Sequence, residues 1–122
     1  MIEKLDIEGI HMEVDENVHK YVIRKIGRLD KYLPKQAKQS AHAEVMLKST
    51  EAKGNRCTCE VTLYLPRETI NVKESTVNIF AAIDIVEAKL KHQIEKYKEL
   101  HDSGKLKRHL AARFRKKAAQ KP

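Results

Sequence analysis

Hydrophobic and polar positions alternate from the first residues of the chain. Leu5 and Ile7 stand between Lys4, Asp6 and Glu8, the period-two pattern of a half-buried strand predicted over residues 2–10. The period then changes: Val18, Val22, Ile26, Leu29 and Leu33 recur at three- and four-residue steps, which predicts a helix from Glu16 to Leu33, capped by Asp15 and stopped by Pro34. Alternation returns in three stretches carried by Ala43, Val45 and Leu47, by Cys57, Cys59, Val61, Leu63 and Leu65, and by Ile70 and Val72. Gly54-Asn55 and Leu65-Pro66-Arg67-Glu68 separate these stretches as turns, so an antiparallel meander with one apolar face is expected. In the last segment Ser75, Thr76 or Asn78 offers a helix cap, and Ile83, Val86, Leu90, Ile94 and Tyr97 form one apolar stripe.

The order β-α-β-β-β-α predicts an α+β domain over residues 1–101, a four-stranded sheet with both helices packed on its one apolar face and a right-handed crossover from the first strand to the second. Asp102-Ser103-Gly104 breaks the pattern, and residues 102–122 read as a basic tail. Within it Leu106, Leu110 and Phe114 have helical spacing, but so much like charge surrounds them that order is expected only on binding. No apolar run reaches the roughly 20 residues of a membrane span, and Met1-Ile2-Glu3-Lys4 lacks a signal-peptide pattern, so the expected location is the cytoplasm. Cys57 and Cys59, two apart on one strand face, cannot brace distant parts of the fold and read as reduced thiols buried as small hydrophobes.

Charge sharpens this outline. The chain carries a formal +8, but residues 102–122 set eight cations against the single acid Asp102, so +7 belongs to the tail and only +1 to residues 1–101. Polyanion binding by the domain therefore requires cations segregated onto one surface. In the first helix Lys20, Arg24, Arg28 and Lys31 fall within an arc of about 80° opposite the apolar stripe, while Asp15, Glu16 and Asp30 lie outside it and Lys25 flanks the buried edge. On the second helix Lys89, His92 and Lys96 line the side away from the stripe, whereas Lys91 stands four residues from both Glu87 and Glu95 and is expected to pair with them. Two neighbouring ridges free of acids predict a positive groove.

Tyr21, Tyr32, Phe80 and Tyr97 fall on or near the apolar sides, which favours recognition of folded RNA shape and phosphates over stacking on single-stranded bases. A glycine-rich phosphate loop, a nucleophile with its base and a metal-ligand cluster are all missing from the sequence, so neither an enzyme nor a cofactor is expected.

The segment Asn78-x-Phe80-Ala81-Ala82-Ile83-Asp84-x4-Lys89-Leu90-x-His92-Gln93-x2-Lys96-x-Lys98 resembles the signature of the bacterial ribosome hibernation-promoting factors, also called ribosome-associated inhibitor A or sigma-54 modulation proteins. Val18, Val22, Lys25, Leu29, Lys31 and Tyr32 extend the resemblance back through the first helix, over about residues 1–101. It implies a fold similar to double-stranded-RNA-binding domains and a place between head and body of the small ribosomal subunit, in the 70S ribosome as well. There it would cover messenger RNA and the A- and P-site transfer RNA positions and silence idle ribosomes. By position, Lys25, Lys31, Lys89, His92, Lys96 and Lys98 would face ribosomal RNA.

Three residues depart from the family pattern: Asn78 for Asp, Phe80 for Tyr and His92 for Arg. The first two read as structural, whereas the third replaces a permanent cation. Long members carry a second, dimerising domain that this chain is too short to hold, so a monomer is expected. Where some short members end in an acidic tail, this chain ends in a basic one, and Lys105, Lys107, Arg108, Arg113, Arg115, Lys116 and Lys117 are expected to add ribosomal RNA contacts.

The same charge logic would suit a general double-stranded-RNA binder, but such domains carry a Lys-Lys-x-Ala-Lys cluster at the start of the last helix, where this chain has Thr76-Val77-Asn78-Ile79-Phe80. A protein-binding transcription modulator is suggested only by the family's older name. Membrane attachment of the tail has just Leu106, Leu110 and Phe114 to insert.

Overall fold

A computed structural model of the protein describes residues 1–50 and 56–101. Strand β1 (Lys4–Ile10) leads into helix α1 (Glu16–Lys25), a 3-10 helix (Gly27–Tyr32) and a short helix α2 (Lys35–Ser40). Strands β2 (His42–Thr50), β3 (Arg56–Leu65) and β4 (Glu68–Thr76) follow, and the long helix α3 (Ile79–His101) closes the fold. The sheet order is β1-β2-β3-β4. Strand β1 runs parallel to β2 with Ile7 opposite Val45, and the other two pairs are antiparallel, with Val45 opposite Val61 and Val61 opposite Val72. That row of aliphatic side chains crosses the sheet on one face, as the alternation requires.

Both helices cover this face. Val22 and Ile26 from the first helical segment join Ile83, Val86, Leu90 and Ile94 of α3 and Leu47, Val61 and Leu63 of the sheet in one core, all of them at most 1% exposed. The predicted stripe of α3 is thus the buried one, with Tyr97 nearly as covered at its end. Cys59 lies fully within the core, and burial pushes its thiol up to about 12. Among the described residues no helix is long and apolar enough to cross a membrane.

The caps are local. The Asp15 carboxylate accepts a hydrogen bond from the Val18 amide at 2.9 Å, and the Asn78 side-chain oxygen accepts from the Phe80 amide at 2.8 Å, opening α3. Asp15→Ala is expected to cost about 1 kcal/mol, read as a lower urea midpoint with an unchanged m-value.

One predicted element is corrected. The helix expected from Glu16 to Leu33 is α-helical only to Lys25 and then tightens to the 3-10 helix over Gly27–Tyr32. Gly27 explains the change: its carbonyl accepts from the Ile2 amide at 2.8 Å, and a Cβ there would stand 3.2 Å from the Met1 side chain. The chain start lies across the helix where glycine is a weak helix former, and the last turns draw in. Pro34 stops this segment as expected but also starts α2, which the sequence reading did not anticipate. The proposed Gly54-Asn55 turn lies outside the described residues.

Candidate nucleic-acid interface

Helix α3 has two flanks beside its buried stripe, and the fold gives them different neighbours. Phe80, Asp84, Glu87 and Lys91 recur at three- and four-residue steps along one flank, which faces α1 and the 3-10 helix. Tyr21 meets Phe80 edge-on with ring centroids 5.0 Å apart, and its hydroxyl donates to Asp84 Oδ1 at 2.6 Å. That hydrogen bond, with burial and the carboxylate charge, raises the Tyr21 pKa, so the phenol remains a neutral donor. The Lys25 ammonium stands 3.6 Å from Asp84 Oδ1 and 3.9 Å from Glu87 Oε1. On the opposite flank Lys89 is ion-paired with Glu74 of β4.

Between α1, the 3-10 helix and α3 lies a cleft of about 260 Å³ bordered by Arg24, Arg28, Lys31, Tyr32 and Lys91. The Arg24 guanidinium sits 5.1 Å from the Tyr21 ring centroid. Lys31 and Lys91, from different helices, approach the same Tyr32 ring at 5.1 and 4.9 Å. Cation-π contacts at exposed sites contribute about 0.5–1 kcal/mol each, enough to hold two ammonium groups at one ring while leaving their hydrogen-bond donors open to an anion. The aromatic rings thus position cations. The sheet's outer face is different: its Glu44 accepts from Tyr64, and its Asn71 donates to Glu60 and Thr62. Cations are concentrated on the helical side.

Several expectations for this surface need correction. The groove is not free of acids, because Glu87 forms part of its wall and, with Asp84, neutralises Lys25, whose side chain is only 30% exposed. Lys91 does not pair with Glu87 or Glu95 among the described residues; it reaches across to Tyr32 and completes the groove. Lys20 pairs with Glu16 at 3.0 Å, both largely exposed, a contact worth a few tenths of a kcal/mol. Lys89, His92 and Lys96 lie away from the groove, all three exposed, and Lys98 is half-buried near the end of α3.

Arg24, Arg28 and Lys31 are therefore brought together, and Lys91 is the member that sequence reasoning missed. Its spacing from Asp84 and Glu87 placed it on their flank, but only the docking of α3 against α1 shows that this flank is the inner wall. Tyr21 and Tyr32 pack half-buried against the core, near the apolar sides as expected, and Tyr32 also borders the groove, whereas Phe80 is 36% exposed. Lys105, Lys107, Arg108, Arg113, Arg115, Lys116 and Lys117 lie outside the described residues.

A mixed sheet carrying two helices on one face, with four cations gathered between them, defines an α+β module suited to holding a polyanion against its helical side. Residues 5–101 match the family described as Sigma 54 modulation protein / S30EA ribosomal protein, and the chain belongs to that family.

It is 34% identical over 95 residues to the Ribosome hibernation promotion factor of Lactococcus lactis, covering 78% of this chain and 49% of that protein. It is 30% identical to the factor of the same name from Staphylococcus aureus, covering 78% and 48%. The chain thus spans about half the length of these relatives. Among solved structures, the Thermus thermophilus Protein Y N-terminal domain superposes with a TM-score of 0.64 at 28% identity, covering 79% of this chain and 97% of that one. A ribosomal subunit interface protein from Coxiella burnetii gives the same score at 17% identity, with 78% and 97% covered, a likeness of fold alone.

Proposed function

We propose that this protein is a non-catalytic ribosome hibernation factor of the cytoplasm. Its domain binds the small ribosomal subunit between head and body, alone or within the 70S ribosome, covers the messenger RNA path and the A- and P-site transfer RNA positions, and holds idle ribosomes out of translation. The observation that carries this reading is the gathering of Arg24, Arg28, Lys31 and Lys91 around one cleft in a domain whose net charge is only +1, found in a member of a family whose relatives are named for ribosome hibernation. So local a concentration of cations meets phosphates, not bases, and fits folded RNA. Lys89, His92, Lys96 and Lys98 supply further contacts along α3, and the tail cations from Lys105 to Lys117 add attraction for the same polyanion.

The test is co-sedimentation with purified small subunits and whole ribosomes over a salt series, paired with displacement of labelled messenger RNA and P-site transfer RNA. Binding that weakens steeply with salt and displaces both ligands is expected. Pelleting without displacement would leave a ribosome binder but remove the occlusion mechanism.

A further inference from the structure

Strands β3 and β4 are joined by the two residues Pro66 and Arg67, with Leu65 paired to Glu68 across the turn. Arg67 has φ 71. A turn with proline at its first central position and positive φ at its second is the type that selects glycine or asparagine there, because a Cβ in the left-handed region clashes with the following carbonyl. The chain keeps a long cationic residue where glycine would relieve the strain. No hydrogen bond or ion pair to its guanidinium occurs among the described residues, and the neighbouring Glu68 carboxylate faces His101 Nε2 at 3.3 Å.

The turn is also held still. The Tyr97 hydroxyl donates to the Pro66 carbonyl at 2.9 Å, and the His101 ring rests against Tyr97 with centroids 4.6 Å apart. Arg67 thereby projects from a fixed base beside a second cleft, of about 380 Å³, bordered by Gln36, Tyr97 and His101. Exposed Lys35 and Lys38 of α2 flank the cleft residues Gln36 and Ala37 in sequence. His101 lies ten residues beyond Lys91, roughly 15 Å further along α3 at 1.5 Å per residue. The two clefts are separate features of the same helical side.

We infer that Arg67 is a second phosphate-binding point, positioned by its strained turn to take a backbone phosphate of the RNA whose neighbouring segment lies on the Arg24–Lys91 groove. This rests on the ribosomal reading above and adds to it a site at the C-terminal end of α3, beyond the mid-helix groove. A planar guanidinium suits a phosphate bidentately, and the neighbouring lysines raise the local positive potential that would bring one there.

The experiment compares wild type, Arg67→Gly and Arg67→Lys in urea unfolding and in salt-dependent binding to purified small subunits. Arg67→Gly is expected to raise the urea midpoint, by removing the left-handed strain, while weakening binding about tenfold and lowering the slope of log K against log salt by about 0.7–0.9. Arg67→Lys is expected to keep the wild-type slope. A glycine variant that binds with wild-type affinity and slope, while wild type pellets with subunits, overturns the Arg67 site alone. Wild-type protein that does not pellet at all overturns this site and the ribosomal reading together.

Discussion

Reversing charge at both Arg28 and Lys91 is expected to weaken binding to small ribosomal subunits by on the order of 100-fold or more, with no comparable loss of stability. Hydrogen bonds to charged groups contribute about 1.5–3 kcal/mol each, and tenfold in affinity corresponds to about 1.4 kcal/mol. Losing two such contacts and adding two repulsive carboxylates reaches that range. The fold should tolerate the change because both residues are exposed, and exposed substitutions usually stay within about 0.5 kcal/mol. The salt slope should fall by roughly 1.5, the loss of two neutralised phosphates. Lys20→Glu provides the contrast: Lys20 is already paired with Glu16 away from the cleft, and its reversal should change affinity by no more than about threefold. Co-sedimentation of all three proteins at several salt concentrations decides the matter. Equal binding by the Arg28→Glu/Lys91→Glu protein and wild type would remove the groove from the interface.

Leu90→Ala should be the most damaging single truncation for the fold. Leu90 is fully buried at the middle of α3, on the stripe packed against the sheet. Leucine-to-alanine changes in closed cores cost about 2–5 kcal/mol because the surroundings only partly collapse into the space left. In a domain of this size that corresponds to a melting temperature lower by roughly 10–25 °C. Thermal and urea unfolding followed by circular dichroism would measure it. Ribosome binding well below the melting temperature should persist, since Leu90 shapes the support of the groove without lining it. A loss under 1 kcal/mol would mean that α3 repacks freely against the sheet.

The sequence made some features readable and left others ambiguous for physical reasons. Ile83, Val86, Leu90 and Ile94 were legible because one long helix on one sheet must bury one stripe, and the period of 3.6 shows which. Strand pairing was readable for a similar reason, each alternating residue having one face to occupy. The end of α1 was not, since the step from Ile26 to Leu29 suits a 3-10 turn as well as an α-helix, and the contact between Ile2 and Gly27 comes from residues distant in sequence. Helix α2 buries only Ala37, too little to leave a periodic signal. For the site, a helical wheel separates the flanks of α3 but does not say which one meets α1. Lys89 and Lys91 therefore exchanged expected roles: Lys89 has a strand partner, and Lys91 faces the groove.

The parallel pairing of β1 with β2 has a consequence for the order in which the molecule forms. Strands β2, β3 and β4 and helix α3 follow one another closely and can assemble through short-range contacts. Strand β1 reaches its partner only after a loop containing α1, the 3-10 helix and α2 has closed. Such long-range pairing carries the larger chain-entropy cost and is expected late in folding. One wall of the groove then exists before the other: Glu87 and Lys91 wait on α3 until α1 docks. A half-folded chain has scattered lysines but no cleft, so the gathering of Arg24, Arg28, Lys31 and Lys91 arrives with the final closure of the domain.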